Sequence, residues 1–205
     1  MEVAINDGMN AFERAIKRMF DIVSSFLGLV FLSPVFLIVY IMLRVQNEGS
    51  VIFRQERIGY KGKPFNIYKF RTMCVDSERN GKPLLASKGD KRLTKVGRFL
   101  REHHLDELPQ LFNVLKGDMS FVGPRPERQY FIDLIRKENP DYDYVFMMRP
   151  GLTSMATIHN GYTDTMEKML IRLDMDLEYL RTRSLWVDLK LIFTTFFYIV
   201  NGKKF

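Results

Sequence analysis

The chain has 205 residues and carries 31 Lys/Arg against 24 Asp/Glu, a net +7, with 46% hydrophobic and 27% charged residues. That length can bury a core unaided, the composition excludes global disorder, and a single cysteine, Cys74, excludes an intramolecular disulfide and any cysteine-based zinc ribbon. The excess positive charge favours anionic partners and is concentrated: residues 44–101 hold 15 basic against 5 acidic residues, while the remainder holds 16 against 19.

Residues 11–21 read as a helix feeding a run of 22 residues, 22–43, that contains no charge. About 20 apolar residues cross a bilayer core as a helix, so the run is a membrane segment or, failing that, a buried core helix. It is too long for a secretory leader, and no small-x-small cleavage site follows it. Ser33-Pro34 sits near its centre, where proline's missing N–H and ring clash predict a kink. Arg14, Lys17 and Arg18 precede the run, and Arg44, Arg54 and Arg57 follow it. A straight span shows asymmetric basic flanks. Equal flanks with a central Ser-Pro favour a bent, re-entrant hairpin with both ends cytoplasmic over a spanning helix.

Residues 51–58 and 65–70 are rich in β-branched and aromatic side chains, and the turn-like Gly59-Tyr60-Lys61-Gly62-Lys63-Pro64 separates them, which predicts a β-hairpin. The polar stretch 79–91, with Gly81, Pro83 and Gly89, reads as a loop, and 96–102 as a helix. Leu108, Leu111, Phe112 and Leu115 then recur at helical spacing, and Gly117 is a natural stop. Pro109 fits only a first turn, so this helix is expected to start near Leu105 or Asp106, with Asp106 and Glu107 at its N-terminus. Acidic residues there are common as caps. Gly123-Pro124-Arg125-Pro126 and Arg149-Pro150-Gly151-Leu152-Thr153 follow, each holding an arginine on proline-stiffened backbone. Arginine's planar fork suits phosphate, although either element alone is equally an ordinary turn. Residues 185–200 are apolar and aromatic, broken by Asp188 and Lys190, with an uncharged run of only 10 residues. They fit an amphipathic helix in the membrane surface, or a core helix.

These residues resemble the bacterial sugar transferases, specifically the small monotopic phosphoglycosyl transferases. The resemblance rests on K-F-R-T-M at 69–73, L-D-E-L-P-Q-L-F-N-V-L-K-G-D-M-S at 105–120, V-G-P-R-P at 122–126 and R-P-G-L-T at 149–153. The Q-E-R-I-G-x-x-G-K-P-F stretch at 55–65 and Ser33-Pro34 also match, so it spans about residues 12–200. It implies a mainly α fold with a small β-hairpin, in a monotopic membrane protein. Residues 1–48 would form the N-terminal helix and re-entrant helix-kink-helix. Residues 49–205 would form the cytosolic catalytic part with an interfacial C-terminal helix, the whole being one functional domain.

The resemblance further implies transfer of a phosphosugar from a UDP-sugar to polyprenol (undecaprenyl) phosphate at the cytoplasmic face of the bacterial inner membrane, the first membrane step of glycoconjugate assembly. Asp106 would be the nucleophile of a covalent aspartyl phosphosugar. Glu107 would act as base or help hold Mg²⁺, with Asp106 and Glu107 the metal-ligand pair. Lys69, Arg71, Arg101, Arg125 and Arg149 would contact phosphate. The partners are then the sugar donor, the lipid acceptor and the bilayer, and no nucleic acid is expected.

The chain departs from the family in places. Ser154-Met155-Ala156-Thr157 stand where Gly-Trp-Ala-Gln is usual, so the family's contacts from that loop are not carried over. His103 and His104 replace small polar residues; adjacent on a helix they point about 100° apart, so no zinc is expected. The chain is expected to be the small form of the family, without a long domain ahead of residue 11. Two rivals remain from the residues: a membrane-attached polyanion-binding protein, and a nucleotide-sugar hydrolase using the same aspartyl chemistry.

Overall fold

The computed structural model describes residues 5–46, 49–74, 90, 92–161, 163 and 165–201, with only the backbone of Val200. The loop expected over 79–91 lies outside these residues, Asp90 excepted. Helix α1 (Ala11–Phe31) runs unbroken through what the sequence divides into lead-in and membrane segment. A capping box starts it: the Asn10 side chain accepts from the Glu13 N–H, and the Glu13 carboxylate accepts from the Asn10 N–H. Helix α2 (Ser33–Gln46) follows at a bend of 59°. The bend falls where Pro34 has no N–H to give the Val30 carbonyl, and the Ser33 hydroxyl donates to that carbonyl instead, at 2.8 Å. No single described helix is long and apolar enough to cross a membrane; the bent pair passes on length and composition only when taken together.

The predicted hairpin forms. Strands β1 (Ile52–Ile58) and β2 (Pro64–Phe70) pair antiparallel, with Ile52 opposite Phe70 and Ile58 opposite Pro64. A 3-10 turn over Tyr60–Gly62 joins them. Phe70 and Val51 pack against Val39 and Leu43 of α2 and against Leu100 of helix α3 (Lys95–Glu102), which seats the hairpin on the bent pair.

The expected helix from 105 is split. Leu105–Glu107 form a 3-10 turn, and the α-helix α4 (Gln110–Lys116) begins only after Pro109. Proline's ring clashes with the carbonyl four residues back, so α-helical pairing cannot run through residue 109 to residue 105. The dyad therefore precedes the helix instead of occupying its N-terminus.

The hairpin is accompanied by a second sheet that the sequence does not announce. Strands β3 (Ser120–Val122) and β4 (Gly151–Thr153) pair in parallel. Their approach demands glycine: a Cβ on Gly123 would lie 2.1 Å from the Arg149 carbonyl oxygen, and one on Gly151 would lie 2.2 Å from the Gly123 nitrogen. The two Arg-Pro elements are thus neighbours, fixed by their glycines. Helix α5 (Gln129–Glu138), a 3-10 run over Pro140–Met147, α6 (Met155–His159), α7 (Met166–Thr182) and α8 (Leu185–Val200) complete the chain. Ile132, Ile135, Tyr142, Leu173, Leu180 and Leu191 anchor their shared core.

The flanking cations are used differently from the sequence reading. Arg14 pairs with Asp7, Lys17 with Asp188 of α8, and Arg57 with Glu127. Arg18 donates to the Val114 and Leu115 carbonyls at 2.7 and 2.9 Å, capping α4. These four serve contacts within the protein, so counting flanks carries less weight on topology than the bend itself.

Candidate active site

The turn Leu105–Glu107 is held from both sides. Leu105 and Leu108 pack against the cluster of Phe70 and Leu100. On the other side, the buried Asn113 of α4 acts like an extra strand: its Nδ2 donates to the Asn66 carbonyl at 2.7 Å, and its Oδ1 accepts from the Tyr68 N–H at 3.0 Å. This pins α4 to β2 and places Lys69 beside the turn. The Lys69 ammonium donates to Glu107 Oε1 at 2.5 Å. His104, just before the turn, is in the left-handed region at φ 54°, a conformation that histidine tolerates better than most residues.

The two carboxylates have opposed surroundings. Asp106 is buried, and no described group donates a hydrogen bond to it. Burial raises its carboxyl above the ordinary value, the neighbouring charge of Glu107 adds to this, and Lys69, Arg101 and His104 offset it only in part. Burial would raise Glu107 as well, but Lys69 and Arg125 outweigh it and hold that carboxyl well below the usual range. One carboxylate is thus committed to a lysine, and the other is bare.

Arg125 is exposed between Pro124 and Pro126, both buried, which presents the guanidinium on a stiff base. Beneath it, the buried Glu127 pairs with Arg172 at 2.9 Å and with Arg57 at 3.4 Å, and Arg57 also donates to the Pro126 carbonyl at 3.1 Å. Burial alone would raise Glu127, but these arginines together hold its carboxyl low.

Of the predicted site residues, Lys69, Arg101 and Arg125 act on the dyad electrostatically. Arg101 is steadied by donating to Thr72 Oγ1 at 3.0 Å. Arg71 is engaged elsewhere, with the Ser50 carbonyl and over the Phe53 ring. Arg149 donates to the Gly117 carbonyl at 3.0 Å and lies over the Tyr60 ring, so it braces the end of α4.

Sequence reasoning missed Asn113, Glu127 and Gln110. Gln110 is buried, and its Nε2 has no hydrogen-bond partner among the described residues, a spare donor four positions after Asp106. Asn113 and Gln110 stand inside the motif at 105–120, whose polar residues at otherwise apolar helical positions were the available signal.

Among the described residues no cluster of three His, Cys, Asp or Glu could hold a metal. Two carboxylates in one turn still fit Mg²⁺, which binds through one or two carboxylates and completes its shell with water and substrate phosphates.

A profile of the bacterial sugar transferase family matches residues 12–202. The chain is 45% identical over 191 residues to a UDP-glucose:undecaprenyl-phosphate glucose-1-phosphate transferase of Klebsiella pneumoniae, covering 92% of this chain and 41% of that protein. It is 40% identical over 187 residues to a UDP-N-acetylgalactosamine-undecaprenyl-phosphate N-acetylgalactosaminephosphotransferase of Aeromonas hydrophila, covering 91% of this chain and 44% of the relative. A third relative, a UDP-glucose:undecaprenyl-phosphate glucose-1-phosphate transferase of Caulobacter vibrioides, is 41% identical, with 87% of this chain and 67% of that protein covered. The chain thus spans less than half the length of the first two.

Proposed function

Because the chain belongs to the bacterial sugar transferase family, we propose that it transfers a sugar phosphate from a UDP-sugar to undecaprenyl phosphate through Asp106. The observation that carries this reading is the contrast within the dyad: a buried Asp106 without a hydrogen-bond donor beside a Glu107 pinned by Lys69. An Asp106 oxygen attacks the phosphorus that bears the sugar, and the bond from that phosphorus to UMP breaks, its electron pair leaving with UMP. A phosphate oxygen of the acceptor then attacks the same phosphorus. The aspartyl–phosphorus bond breaks, and the carboxylate is restored. Arg125 and Lys69 draw the donor diphosphate toward a carboxylate that would otherwise repel it. Mg²⁺, held by Asp106 and Glu107, would supply further neutralisation of the donor phosphates.

The surface supports an acceptor met in a membrane. Phe26, Val30, Phe31, Leu37 and Ile38 of the bent pair are exposed, as are Trp186, Phe193 and Phe196 of α8. So much apolar surface outside a core marks an interaction face. The bent pair then dips into the inner membrane from the cytoplasmic face, α8 lies along the surface, and the reaction is the first membrane step of glycoconjugate assembly.

The test is intact mass after incubation with UDP-sugars and Mg²⁺ without acceptor. The wild type should gain a phosphosugar increment and Asp106→Asn none, with folding retained. Normal turnover by Asp106→Asn refutes the mechanism. UMP release without acceptor in steady state indicates a hydrolase.

A further inference from the structure

A groove of about 460 Å³ lies between α2, the hairpin and α4, within the usual range of ligand sites. Phe36, Ile52, Phe112 and Leu115 line it, and Arg54 and Lys116 are its two cations. Phe112 is 50% exposed, and its ring stands edge-on to Phe36 at 6.2 Å. Arg54 lies over the Tyr68 ring, while Lys116 pairs with Asp118 at 3.2 Å and keeps 65% of its side chain exposed.

The groove has a polarity. Leu111 stands against Gly28, whereas Arg18 caps the carbonyls of Val114 and Leu115. Helix α4 therefore runs antiparallel to α1. Its C-terminal end, with Lys116, sits level with the charged half of α1, and its N-terminal end sits beside the apolar half. Two cations beside aromatic walls suit one anionic amphiphile. The dyad joins α4 at the opposite end, about 10 Å from Lys116 along seven residues of helix, so a phosphate at Lys116 is not in line with Asp106.

We propose that this groove holds one anionic phospholipid of the surrounding bilayer, its phosphate between Arg54 and Lys116 and an acyl chain over Phe36 and Phe112. The lipid thereby packs α2 and the hairpin against α4. This rests on the membrane seating proposed above.

The chain's single tryptophan makes the test direct. In full-length protein reconstituted in phosphatidylcholine vesicles, Trp186→Phe with Phe112→Trp puts a fluorophore in the groove, and Leu115→Trp is a second reporter should the first perturb folding. Quenching is read against the mole fraction of chain-brominated phosphatidylglycerol or chain-brominated phosphatidylcholine. The expected result is half-quenching at about fivefold less phosphatidylglycerol per cation engaged, with the two curves converging after Arg54→Gln and Lys116→Gln. Equal quenching by both lipids overturns the proposal. Relief of quenching by one equivalent of unbrominated undecaprenyl phosphate overturns it too, and makes the groove an acceptor site. If Trp186 of the parent protein is quenched by neither lipid, the membrane seating fails and the groove proposal falls with it. Quenching of Trp186 without selectivity in the groove removes the groove proposal alone.

Discussion

Asp106 and Glu107 are adjacent, yet their protons obey different neighbours. A carboxyl raised by burial and by a like charge is protonated at a pH where a free aspartate is ionised. An attacking carboxylate must be ionised, so adduct formation should fall on the acid side with a midpoint above the ordinary value of 3.8. Lys69 is the largest group opposing that rise, so Lys69→Met should move the acid limb to higher pH. Single-turnover adduct formation measured across pH checks this; an acid limb that moves down, or stays put, contradicts the assignment. The dyad titrates as a pair, so the observable is the limb and not a value for either residue.

Arg125 permits a sharper residue-level test. Its two buried prolines and the Glu127 pairs beneath it fix the backbone, so Arg125→Lys changes the head group and little else. Losing a bidentate fork should cost on the order of 1–3 kcal/mol in kcat/KM for the UDP-sugar. Full activity with lysine would reduce Arg125 to a diffuse charge.

At the scale of elements, the bend between α1 and α2 rests on two adjacent residues. Pro34 withholds an N–H from Val30, and Ser33 supplies a hydroxyl in its place. Pro34→Leu restores both the N–H and the room for a straight helix, so it should shift the chain from a re-entrant to a spanning topology. Cysteines introduced at Phe12 and Asn47, in a Cys74→Ser background, should both label from the cytoplasmic side in the parent. In the Pro34→Leu chain they should label from opposite sides. Opposite-side labelling of the parent would defeat re-entrance.

The elements legible in the sequence were those set by local rules. Ser33-Pro34 marked the bend, the β-branched and aromatic runs on either side of the turn-like 59–64 marked the hairpin, and the Leu185–Val200 helix carries the bounds that its apolar run suggested. Motif order marked Asp106 and Glu107, and the structure brings Lys69, Arg101 and Arg125 within electrostatic reach of them. What failed was non-local. The parallel pairing of β3 with β4 joins three-residue strands about 30 positions apart, and no period reveals it. The bond from Arg149 to the Gly117 carbonyl, a partner 32 residues away, is likewise invisible to local rules. The start of α4 was misplaced because Pro109 allows a helical turn before it but not continuous α-helical pairing through it.

At the scale of the molecule, α1 is a wall of the fold. Asp21, buried in α1, accepts hydrogen bonds from the Ser120 hydroxyl and the Phe121 N–H of β3, each at 3.1 Å. Leu111 packs on Gly28, and Arg18 caps α4. A chain of residues 49–205 alone would leave those donors and carbonyls without partners, at about 1–3 kcal/mol for each group kept from water, and would bare the apolar flank of α4. It should show no cooperative thermal unfolding transition by circular dichroism, whereas the whole chain in lipid should; a sharp transition from the fragment would show the hairpin to be a detachable anchor. The Asp21 tether also ties two segments that lie about 100 residues apart. The strand that leads into the Arg125 loop completes its hydrogen bonds only against a helix already in place. The position of the Arg125 loop therefore depends on α1 as well as on its own prolines.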